Sequence, residues 1–178
     1  MFHVTAAGYS VDVLYLYRHL KAAKMMDKFL IKELAIVDIG TGAGSSWIFR
    51  PPGGSYVQPI DVERANTFTS KNLHGMEWGT GDIPYSMIPN IIQQYILDDM
   101  WAPLPLYVKG EEKARLLREL LRNNPEFQVV NIEKIGFLRK LEQKAPEICL
   151  FHSRRNKPLC AKTQAFNIRH LILEYGIE

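Results

Sequence analysis

The sequence predicts an α/β fold with one mixed β-sheet, antiparallel hairpin strands first and parallel strands after, flanked by helices. Three observations predict it. Phe29-Leu-Ile-Lys-Glu-Leu-Ala-Ile-Val37 is apolar and rich in β-branched residues, as a central strand is. Asp38 to Gly44, with three glycines, then separates it from Ser45-Ser-Trp-Ile-Phe-Arg50, which Pro51-Pro-Gly-Gly54 stops, so the pair reads as a β-hairpin. From Pro105 onward, short apolar runs alternate with amphipathic ones, the pattern of strand followed by helix.

Taken in order, Phe2 to Ser10 suits a first strand, with Gly8 as a bend, and Val11 to Lys28 reads as a helical or irregular excursion. Asp61 to Asn72 forms a polar helix ending near His74-Gly75. Ser86 to Met100 is a stronger helix, since Ile88, Ile91, Ile92, Tyr95 and Ile96 recur at helical spacing and Pro89 falls in its first turn. Ile83-Pro-Tyr85 reads as a packed surface turn before it. Pro105 to Lys109 is a short strand. Glu111 to Arg122 is a helix with acids at its start and arginines toward its end, as the helix dipole favours. Phe127 to Ile132 is a further strand, Leu138 to Gln143 a short helix, and Lys162 to Tyr175 the final helix.

At 178 residues the chain is expected to be a single domain, 1–178, with room for a full core. Hydrophobic content of 47% and charged content of 23% are ordinary globular values. No apolar run approaches the about 18 residues of a membrane span, so no membrane partner is expected. Met-Phe-His-Val does not open a secretory signal, which points to an intracellular setting, cytoplasmic or nuclear. There, cysteines near a histidine point to a metal before a disulfide. The net charge of +3 permits nucleic-acid contact without demanding it.

Both cysteines of the chain lie close to one histidine, in Cys149-Leu-Phe-His152 and Cys160-Ala161. Two thiolates and an imidazole are most of a tetrahedral zinc set, and the fourth ligand must come from elsewhere. A set of four protein ligands leaves no open position for water, so the expected zinc is structural, not catalytic. Cys160 stands just ahead of the last helix, where the helix N-terminus favours a thiolate. Basic residues follow the same stretch. Arg154, Arg155, Lys157 and Lys162 are candidate phosphate contacts on a loop that a metal would fix.

Val37-Asp-Ile-Gly-Thr-Gly-Ala-Gly44 resembles the first motif of S-adenosylmethionine-dependent methyltransferases, with Asp61 near the place of a ribose-binding acid. That motif needs a helix directly after the glycines, to point its N-terminus at the cofactor. Ser45-Ser-Trp-Ile-Phe-Arg-Pro-Pro52 cannot supply one, so a hairpin turn is the preferred reading and a methyltransferase the alternative.

Lys32-Glu-Leu-Ala-Ile36, Phe49-Arg-Pro51, Thr69 and Leu73-His-Gly75 are together similar to the opening of DnaQ-like (DEDDh-type) exonucleases. This resemblance implies a ribonuclease-H-like sheet and, in active members, carboxylates that hold two metals across the scissile phosphate. Thr5 and Ala7 stand where the first-strand Asp-x-Glu would be, and Lys157 stands where an acid would follow the His152 base. No catalytic residue is therefore assigned, and an active metal-dependent exonuclease is not expected, a residual nuclease being an alternative.

The zinc pattern is closest to the Maelstrom domain, which resembles this combination: ribonuclease-H-like, without the nuclease carboxylates, and carrying a Glu-Cys/His-His-Cys zinc set. The resemblance implies Cys149, His152 and Cys160 as ligands, with Lys109-Gly-Glu-Glu-Lys113 supplying the acid: Glu112 by preference, Glu111 next. Only one of those two can face a site, because neighbours on a helix point about 100° apart. It also implies a non-catalytic domain that binds single-stranded RNA or a protein partner in RNA silencing or a mobile-element setting.

Overall fold

The computed structural model describes residues 9–18, 28–52, 60–71, 75–77, 79–96, 104–136 and 160–176. In chain order the elements are β1 (Tyr9–Arg18), β2 (Lys28–Asp38), β3 (Gly44–Arg50), α1 (Ile60–Thr69), β4 (Ile83–Pro84), α2 (Ile88–Ile96), β5 (Leu104–Val108), α3 (Glu111–Leu120), β6 (Phe127–Asn131) and α4 (Ala161–Tyr175). The strands form one mixed sheet in the order β4-β3-β2-β1-β5-β6. β1, β2 and β3 are antiparallel neighbours, whereas β1 with β5, β5 with β6 and β3 with β4 run parallel. The α/β class and the mixed sheet expected from the sequence are both present.

β2 is the spine of the sheet. Every residue from Ile31 to Val37 is buried, the signature of a strand covered on both faces. Leu34 and Ile36 join an apolar cluster with Ile88, Ile92 and Ile96 of α2 and Ala114, Leu116 and Leu117 of α3. Ala35 and Val37 face the other way, against Ala161 and Ala165 of α4. Small residues on both sides of that contact let the helix lie close to the sheet. Nearer the parallel edge, α4 continues into a cluster of Tyr107, Ile132, Ile168 and Ile172. The sheet is thus sandwiched, with α2 and α3 on one face and α4 on the other.

The glycine-rich segment is the turn of the β2–β3 hairpin. Asp38 N–H donates to Ala43 O at 2.8 Å and Gly42 N–H donates to Asp38 O at 2.9 Å, closing the loop. Asp38 Oδ1 accepts from both the N–H and the hydroxyl of Thr41, at 2.6 and 2.7 Å. Gly42 takes a positive φ of 76°, which suits glycine. From α4, Arg169 Nε donates to Ile39 O at 2.8 Å and fastens the turn to that helix. The chain after the glycines is strand, so no helix N-terminus follows them.

The first strand differs from expectation. β1 occupies Tyr9–Arg18 and so takes in the start, Val11 to Arg18, of the stretch read as a helical or irregular excursion. Val11, Val13, Tyr15 and Tyr17 recur at a spacing of two, and pairing with β2 over its whole length outweighs the loose helical pattern. Residues 1–8, with the strand expected from Phe2, lie outside the described residues. β4 covers the first two residues of the expected Ile83-Pro-Tyr85 turn and pairs with the end of β3, Phe49 opposite Ile83 and Arg50 opposite Pro84. The predicted helices and later strands fall within a few residues of α1, α2, α3, α4, β5 and β6. The short helix expected at Leu138 to Gln143 lies outside the described residues.

One irregularity interrupts β2. Leu14 pairs with Glu33 and Tyr15 with Ile31, so Lys32 is the extra residue of a β-bulge.

Candidate functional site

The bulge falls at two adjacent charges buried in the central strand. Glu33 has 0% and Lys32 1% of its surface exposed. Buried charges are costly without partners, so each must be satisfied locally. They are satisfied in different places.

Glu33 meets the start of α4. Ala161 N–H donates to Glu33 Oε2 at 3.0 Å, and the Cys160 thiol donates to Glu33 Oε1 at 3.7 Å. Cys160 is the residue that opens α4, and its own side chain makes no capping hydrogen bond. The Glu33 carboxylate therefore caps the helix from the neighbouring sheet, where the positive end of the helix dipole favours an anion. Cys160 is fully buried. A thiol and a carboxylate, two of the donor types that zinc takes, thus share one dry position between β2 and α4.

Lys32 reaches the β3–β4 side of the sheet. Its Nζ donates to Phe49 O at 3.1 Å and also to Thr80 O. Burial pushes this ammonium down to about 8 from its usual 10.5. The segment it grips is packed tightly. A Cβ on Gly81, which has φ 115°, would stand 2.7 Å from the Phe49 carbonyl carbon. Arg50 Nε donates to Gly81 O at 3.3 Å beside it.

Glu112 lies on α3, whose inner face packs into the cluster with Leu34 and Ile36, while Cys160 opens the helix on the opposite face of the sheet. The carboxylate that the fold sets against Cys160 is that of Glu33. Glu111, the second choice, is held in another network. Lys134 Nζ lies 2.8 Å and Arg118 3.1 Å from its carboxylate, and Asn131 Nδ2 donates to it at 3.2 Å. Hydrogen bonds from Lys134 first, then Asn131 and Arg118, bring Glu111 down to about 2 from 4.5. Asn131 Oδ1 also accepts from Gly110 N–H at 3.2 Å and Glu133 N–H at 3.1 Å, so this cluster ties the start of α3 to the end of β6.

Of the other predicted site residues, Lys162 lies half-buried in the first turn of α4. Cys149, His152, Arg154, Arg155 and Lys157 lie outside the described residues, as do Thr5 and Ala7. Among the described residues no three His, Cys, Asp or Glu side chains group as a metal site would require. No described helix is long and apolar enough to cross a membrane. β1 carries Asp12, opposite Ala35 of β2, with Leu14 two positions on, so the described first strand holds no Asp-x-Glu either. Asp38, the acid at the end of the methyltransferase-like segment, is engaged by Thr41 within its own turn.

Sequence reasoning missed Glu33. The available signal was Lys32-Glu33 itself, two adjacent charges inside a run otherwise apolar on both faces. No family model, no curated protein and no solved structure matches this chain.

Proposed function

We propose that the chain is a ribonuclease-H-like domain whose core is stapled by a structural zinc and which binds single-stranded RNA instead of cleaving it. The observation that carries the reading is the buried contact of Glu33 with Cys160 at the head of α4. The ribonuclease-H-like assignment is supported by three antiparallel strands followed by parallel strand–helix units, in a mixed sheet with helices on both faces.

In this proposal Glu33 takes the role first expected of Glu112 and joins Cys160, Cys149 and His152 as the ligands. A zinc bound there would link β2 to the start of α4 and to the stretch before it, adding to folding stability. With four protein ligands it would not activate a water. Glu33 would keep its orientation through the Ala161 N–H, as outer-shell hydrogen bonds do for metal ligands. RNA is favoured as the partner by Arg154, Arg155 and Lys157 just before Cys160 and by Lys162 just after it.

Metal analysis of protein purified without chelators or added metal tests the staple. About one tightly held zinc per chain is expected, lost in Cys160→Ser and weakened in Glu33→Gln, while Glu112→Gln retains it. Zinc-free wild-type protein would overturn the staple, and loss in Glu112→Gln alone would restore that residue as ligand. For the partner, affinity for a single-stranded RNA should fall steeply with salt, and less steeply in Arg154→Glu/Arg155→Glu. An unchanged slope would remove the basic stretch from the interface, and magnesium-dependent cleavage that survives Cys160→Ser would overturn the non-catalytic reading.

A further inference from the structure

We draw no further inference here: the strongest candidate, the buried Lys32 ammonium at the bulge of β2, is already taken up by the Phe49 and Thr80 carbonyls and belongs to the clamp between β2, β3 and β4 described above.

Discussion

Glu33 Oε1 lies 3.7 Å from Cys160 Sγ across a chain separation of 127 residues, and both side chains are fully buried. One carboxylate on the central strand therefore fixes where the final helix begins. The cap is supplied in trans by the sheet, because the helix's own first residue does not cap it.

That role can be separated from any metal. In the presence of a chelator, Glu33→Ala should lower stability by about 1–3 kcal/mol, since it leaves the Ala161 N–H buried without its acceptor. Glu33→Gln, which keeps an acceptor oxygen, should cost less. Chemical denaturation of the chelated proteins measures both. Equal losses for the two variants would mean that the charge matters more than the hydrogen bond.

Lys32 gives a pH signature. Its folded pKa of about 8 lies below the ordinary 10.5, so between those values the unfolded chain binds more protons than the folded one. Stability should therefore rise as pH climbs through that window. Burial shifts Tyr107 upward, a contribution lost only as pH climbs above its ordinary 10.0, so the useful range is pH 8 to 10. Urea midpoints should gain more with rising pH across that range in the wild type than in Lys32→Met. A parallel rise in both proteins would assign the effect to another group.

Glu111 acts at the other end of the scale. Its folded pKa of about 2 lies below the ordinary 4.5, so its stabilising effect is present above 4.5 and disappears as pH falls toward 2. Glu111→Gln should reduce the acid sensitivity of stability in that range, by a modest amount because the pair is exposed to solvent. Asn131→Ala should do more damage at every pH, since it removes a partner from Gly110, Glu133 and Glu111 together. A cost of about 1–3 kcal/mol is expected, read from thermal or urea unfolding.

Gly81→Ala should be severe. The new methyl group would press on the Phe49 carbonyl at a positive φ that other residues avoid, detaching β4 from β3. The expected loss is about 2 kcal/mol or more. Gly79→Ala is the control: among the described residues nothing lies within 4 Å of its added Cβ, and a change within about 0.5 kcal/mol is expected.

The hairpin of β2 and β3 was readable because its signals are local: a β-rich run, a glycine turn and a proline stop. α3 was readable for the same reason, through spacing and end charges, and α4 through spacing alone. β1 was not, because Leu14, Tyr15, Leu16 and Tyr17 are apolar without a break and fit helix and strand alike. Glu112 was offered by the zinc pattern of the resemblance, whereas an acid at a helix start is also what the dipole of its own helix favours. The partner of Cys160 depends on which face of the sheet receives the final helix. Nothing near Glu33 in the chain encodes that placement.

The bulge at Lys32 also makes β2 a strand read in two frames. Ile31 and Leu34 share one apolar cluster, although residues three apart on a regular strand point to opposite faces. The skipped residue absorbs the half-step. Replacing Lys32 would therefore remove a clamp but keep the phase, whereas deleting it would join the frames. Leu30 and Ile31 would then present their opposite sides to the core, or Leu34, Ala35 and Ile36 would exchange theirs. At this position the count of residues is a stricter requirement than their chemistry.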